Sequence, residues 1–90
     1  LAHTWTPMRA LQRSVRPGEY LMFDRSRKIA VLLPVVIGPK RTKLIRVVTW
    51  AERSEDRALI GYFPDMETAA WLTWQMWVKA NPSSPVDEAP

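Results

Sequence analysis

Two periodicities meet in the second half of the chain. From Lys43 to Arg53, Ile45, Val47, Thr49 and Ala51 fall on one face and Leu44, Arg46, Val48 and Trp50 on the other, which is the alternation of a half-buried strand. From Met66 to Ala80 the period becomes helical. Met66, Ala69, Ala70, Thr73, Met76, Trp77 and Ala80 share one broad face, whose small residues favour close approach to a sheet. Arg57 to Phe63 predicts a last strand, and only Pro64 and Asp65 separate it from the helix. Asp65 is an N-cap residue, Glu67 in the first turn suits the positive end of the helix dipole, and Asn81-Pro82 stops the helix.

The first half has a looser pattern. Thr6-Pro7 reads as an N-cap followed by Pro at the first helical position, and Met8, Leu11 and Val15 recur at helical spacing. Arg9, Arg13 and Arg16 fall on the other side of that helix, which Pro17-Gly18 ends. Glu19 to Asp24 and Lys28 to Leu33 predict a hairpin around Arg25-Ser26-Arg27. Pro34 marks a bulge or an edge-strand position, with Val35-Val36-Ile37 continuing the strand. Gly38 to Lys43 is a turn, Lys43 to Arg53 the longest strand, and Ser54-Glu55-Asp56 the next turn.

Connections this short cannot make parallel crossovers. The expected fold is α+β: an antiparallel β-meander of three to four strands packed against a C-terminal α-helix, with a short N-terminal helix. Residues 1–80 form a single domain and residues 81–90 a flexible tail.

Burying the small-residue face leaves Trp71, Trp74 and Val78 on one flank of the helix. That flank is either core beneath the N-terminal helix, packed by Met8, Leu11 and Val15, or a protein interface.

Composition narrows the class. Ninety residues, 47% hydrophobic and 24% charged, have the balance of one folded domain. With no cysteine there is no disulfide framework or thiolate metal site. The longest apolar run, Ile29 to Ile37, is too short for a membrane span, and the N-terminus lacks the pattern of a signal peptide, so a cytoplasmic location is expected. Nine Arg among thirteen basic residues, with five Trp, are consistent with a G+C-rich bacterial or phage coding sequence.

The net charge of +4 conceals an asymmetry. Residues 1–50 carry ten Lys/Arg against Glu19 and Asp24, a balance of +8; residues 51–90 carry three against seven acids, a balance of −4. A basic half of this kind is the footprint expected for a polyanion partner, or else belongs to a soluble protein whose strands are edged with Arg.

Catalytic chemistry finds little to work with, so a non-enzyme is expected. His3 is the single histidine and lies near the N-terminus, and Ser14, Ser26 and Ser54 have no base beside them. Glu52, Glu55 and Asp56 sit with Arg53 and Arg57, which reads as a self-neutralised turn and not as an acid/base pair or a metal site. Three separated glycines make no phosphate-cradling loop, and no cofactor is implied. Nucleic-acid binding fares better. Lys40, Arg41, Lys43 and Arg46 cluster at one hairpin, Trp50 lies farther along the same strand, and Arg53 and Arg57 flank the next turn, as Arg25, Arg27 and Lys28 flank the first. Cations on hairpin tips and strand faces can straddle phosphates while a sheet lies in the major groove. Trp50 would pack on sugar or base, or belong to the core.

From Lys43 to Trp74 the pattern resembles the plant ethylene-response-factor (Apetala-type) DNA-binding domain and the arm-site-binding domain of tyrosine recombinases. The likeness rests on Leu59-Ile60-Gly61-Tyr62-Phe63 followed by Asp65-Met66-Glu67-Thr68-Ala69-Ala70. The resemblance implies a sheet packed on the helix with its outer face in the major groove, and places Lys43, Arg46, Trp50, Arg53 and Arg57 near the DNA. It covers about a third of the chain, and the chain departs from it in several places. Trp71 and Trp74 stand where the family is usually polar, the middle strand is richer in Val and Ile, and the segments before Lys43 have no counterpart. The expected function is a small nucleic-acid-binding protein acting on duplex DNA through a basic sheet surface. The alternative is a protein-interaction module or homodimeric adaptor using Trp71, Trp74 and Val78.

Overall fold

The computed structural model describes residues 5–82. It is α+β: one five-stranded antiparallel sheet in sequential order β1-β2-β3-β4-β5, with a C-terminal helix on one face. The strands are β1 (Leu11–Arg13), β2 (Tyr20–Asp24), β3 (Arg27–Ile37), β4 (Thr42–Thr49) and β5 (Leu59–Phe63), and the helix is α1 (Met66–Ala80). No helix among the described residues is long and apolar enough to cross a membrane. His3 and residues 83–90 of the expected tail lie outside the described residues; Asn81 is the C-cap of α1.

The meander has one strand more than expected, and the extra strand replaces most of the expected N-terminal helix. Pro7–Ala10 make a single 3-10 turn closed by Arg9 N–H donating to Thr6 O, without a side-chain cap from Thr6. Leu11, Gln12 and Arg13 then pair with Met22, Leu21 and Tyr20. A ten-residue helix with three apolar positions is marginal alone, and pairing with the open edge of β2 satisfies the same backbone groups while seating Leu11 on the core. Val15, expected in the buried stripe, is 97% exposed in the turn between β1 and β2.

The longest strand is β3, not β4. Pro34 lies within it, opposite Ile45. Trp50 N–H donates to Ile29 O, so by alternation the odd-numbered residues of β3 bond to β4 and the even-numbered ones face the β2 side. The pairing with β2 ends at Leu32. Pro34 therefore points its missing N–H at an unpaired edge, the edge-strand position that proline tolerates.

The core lies between the sheet and α1. Met22, Ala30, Leu32, Ile45 and Val47 from the sheet meet Ala69, Ala70 and Trp74 from the helix. Ala69 and Ala70 are fully buried, so small side chains bring the helix close to the strands. Asp65 Oδ1 accepts from Thr68 N–H at 2.8 Å and starts the helix as expected. The helix is rolled from its expected face. Trp74 is buried at 6% exposure, whereas Met76 stands 52% exposed. The buried stripe is displaced by roughly 30° on a 3.6-residue helix. The cause is the segment before β1: Trp5 packs on Trp74 with ring centroids 5.0 Å apart, and Pro7 is fully buried.

Candidate nucleic-acid interface

With α1 and the 3-10 turn on one face, the other face of the sheet is left to β-strand side chains and two loops. Alternation places Leu21, Val31, Val48 and Leu59 in one cross-strand row there, and Leu33, Arg46 and Tyr62 in the next. Val31 and Val48 are nevertheless buried, because long polar side chains fold over them. Arg16, Glu19, Arg46 and Arg57 line a recess of about 210 Å³ whose floor is Val31, Leu33 and Val48.

Each element of this recess has a local cause. Arg16 and Glu19 come from the β1–β2 turn, which Gly18 closes at φ +78° and where Glu19 N–H donates to Arg16 O. Arg16 and Glu19 stand 3.8 Å apart, the arginine exposed and the carboxylate nearly buried. Arg46 projects from the middle of β4 between Leu33 and Tyr62. Arg57 is half-buried; its Nε donates to Ala51 O at 2.9 Å, and Thr49 and Ala58 bond to each other across the base of the same loop. Three guanidinium groups against one carboxylate leave the recess net positive.

Trp50 buttresses the recess from the end of β4. Arg57 Cζ lies 4.3 Å from its ring centroid and Lys28 Nζ 4.7 Å, so the indole holds two cations in place. A base would have to displace one of them to stack on this ring. Its role in the site is therefore to position Arg57 and Lys28.

The structure separates the remaining sequence-derived candidates. Lys40 and Arg41 occupy the tip of the β3–β4 hairpin, where Gly38 and Arg41 both take positive φ. Arg41 is about 16 Å along the strand from Arg46 at 3.3 Å per residue. Lys43 is exposed and pairs with Val36; by alternation it shares the face of Ile45 and not that of Arg46. Arg53 is exposed and ion-paired with Glu55 at 3.4 Å. Arg46, Trp50 and Arg57 thus form one group, and Lys40, Arg41 and Lys43 a second. Lys28, one of the cations expected around the first hairpin turn, joins the first group, as do Arg16 and Glu19, which the sequence does not single out as site residues. Arg16 was hidden by the helical reading of residues 7–16, and Glu19 by its place at the start of an expected strand. Lys28 becomes adjacent to Trp50 only through the β3–β4 register.

Of the alternative interface residues, Trp74 is core, Val78 is half-buried against it, and Trp71 is 40% exposed. Leu72 and Met76 are also exposed, but the polar stripe of Thr68, Gln75 and Lys79 separates them from Trp71 around the helix. The chain matches no family model, no curated protein and no solved structure.

Proposed function

We propose that the chain is a small nucleic-acid-binding protein with duplex DNA as its preferred ligand, and that the sheet face opposite α1 makes the contact. The observation that carries this reading is the convergence of Arg16, Arg46 and Arg57 over the apolar floor of Val31, Leu33 and Val48. A sheet surface can enter the major groove while guanidinium groups on its face and rim take phosphates or guanine edges. Lys40, Arg41 and Lys43, on the projecting hairpin, extend the cationic reach along the backbone. The resemblance of residues 43–74 to the Apetala-type domain implies the same docking face, and the +8 balance of the first fifty residues suits a polyanion. The role is binding, not turnover.

Fluorescence anisotropy on duplex DNA, single-stranded DNA and RNA across a salt series tests the proposal. Duplex binding should weaken linearly in log–log form as salt rises. A chain that binds none of the three at low salt is not a nucleic-acid-binding protein.

A second reading has its own support. Trp71, 40% exposed beside the half-buried Val78, leaves apolar surface on one flank of α1, which suits a protein partner or a second copy of the chain. Sedimentation that reveals a dilution-stable dimer, dispersed by Trp71→Glu, would favour it over DNA binding.

A further inference from the structure

A second cavity, of about 300 Å³, opens between the C-terminal half of α1 and the end of the sheet where β3 begins. It owes its shape to two irregularities in the ladder. The β2–β3 register shifts between Met22 and Phe23, leaving Ile29 as an extra residue, and the β4–β5 register shifts between Val47 and Val48, leaving Ile60 as another. One inserted residue redirects a side chain that alternation would send to the opposite face. Both isoleucines line this cavity.

The remaining lining is chemically specific. Trp50 and Trp77 contribute aromatic surface. Thr73, from α1, is 3% exposed, and its Oγ1 has no hydrogen-bond partner among the described residues. Two exposed cations belong to the same lining, Arg27 held 4.9 Å from the Trp77 ring centroid and Lys28 held 4.7 Å from that of Trp50. Asp24, paired with Arg27 across the β2–β3 hairpin, sets one negative charge against these two cations and leaves the rim net positive. Asp24 accepts from Trp77 Nε1, and the Trp77 carbonyl at the helix end accepts from both the backbone N–H and the side-chain amide of Asn81. The site therefore offers apolar depth, an unanswered hydroxyl and a positive rim. Its volume is at the small end of ligand pockets.

We propose that this cavity binds a small amphipathic acid, with one carboxylate at Arg27 and Lys28 and an apolar body against Ile29, Ile60 and the two indoles. Thr73 Oγ1 supplies a polar contact inside. The cavity shares no lining residue with the arginine recess, the two being joined only through Trp50, which carries Lys28 and Arg57 on its ring, and ligand binding here does not depend on nucleic-acid binding.

Titration of the full chain with octanoate, octanol and octylammonium, followed by amide and indole NMR shifts, tests it. Octanoate should bind saturably, moving Thr73 and the indole N–H signals of Trp50 and Trp77. Octanol should bind about tenfold more weakly and octylammonium more weakly still, because only the acid answers the cationic rim. The double substitution Arg27→Gln/Lys28→Gln should bring octanoate down to the affinity of octanol. Met76→Trp, at an exposed lining position, should block both ligands while the circular dichroism of the fold is retained. Octanol binding as tightly as octanoate would overturn the proposal, as would octanoate shifts confined to the arginine recess. So would the absence of saturable octanoate binding below about 10 mM.

Discussion

Trp77 donates its indole N–H to Asp24 Oδ2 at 2.8 Å, joining the last turn of α1 to the β2–β3 hairpin across 53 positions of sequence. Arg27, on the other side of that hairpin turn, lies over the same indole. A charge-assisted, partly buried bond of this kind contributes about 1.5–3 kcal/mol when its geometry is good. Trp77→Phe and Asp24→Ala should each destabilise the fold. In a double-mutant cycle read by urea denaturation, the two should couple by about 1–2 kcal/mol. Simple additivity of the two losses would mean that the bond holds nothing together.

Two tryptophans three residues apart on α1 should behave in opposite ways. Trp74 is buried against Trp5, and its replacement by Ala should cost about 3–5 kcal/mol through lost burial and an unfilled cavity. Trp71→Ala should cost less than about 1 kcal/mol, because much of that ring already faces water. Trp5→Ala should reproduce part of the Trp74 loss, since each ring covers the other. Thermal unfolding of the three variants decides the matter, and equal losses at 71 and 74 would contradict the helix orientation.

What the sequence makes legible here is what short-range chemistry decides. The bounds of α1 follow from Asp65, the helical period and Asn81-Pro82. The shared face of Arg46 and Val48 follows from strand alternation alone, whereas Trp50, one residue beyond β4, reaches the cavity beside α1. Features that depend on distant partners are hidden. Leu11–Arg13 look helical because three apolar residues at helical spacing are easily met by chance, and only the open edge of β2 makes them a strand. The roll of α1 depends on Trp5, some seventy residues away, whose contact with Trp74 draws that flank inward and turns Met76 outward. The extra residues Ile29 and Ile60 leave no mark in an already imperfect alternation; only the cross-strand partners reveal them. The arginine recess is hidden for the same reason, since it joins a turn near residue 16 to a loop near residue 57.

The N-cap of α1 should carry a pH signature. Asp65 accepts from the backbone N–H of Thr68 and then from its hydroxyl, and these bonds hold its carboxyl below the usual value of 3.8. A carboxylate whose pKa is lowered on folding adds stability that is fully present above its unfolded pKa. That stability is lost as pH falls through the lowered folded value. Asp65→Ala should therefore lower Tm by a few degrees at neutral pH, with the deficit shrinking once the pH drops below the ordinary carboxylate range. Asp65→Asn should keep most of the capping and lose the acid dependence. A deficit in Asp65→Ala that is the same at neutral and strongly acid pH would show that the carboxylate charge is irrelevant to the cap.

The two groups of cations make separable contributions if the sheet face binds duplex DNA. Each phosphate neutralised contributes about 0.9 to the slope of log affinity against log salt. Lys40, Arg41 and Lys43 sit at the projecting hairpin, where only backbone contact is within reach, so their joint replacement by Ala should flatten the slope by about 2–3 with no change in sequence preference. Arg46 and Arg57 lie on the recessed face that would meet base edges. Arg46→Ala should cost about 1–3 kcal/mol of binding and relax the preference among duplex sequences. Trp50→Leu should act through the cations stacked on it, weakening binding without removing any charge. Anisotropy on a small panel of duplexes at several salt concentrations measures all three effects. If the hairpin substitutions leave the slope untouched and Arg46→Ala leaves affinity untouched, DNA does not lie on this face.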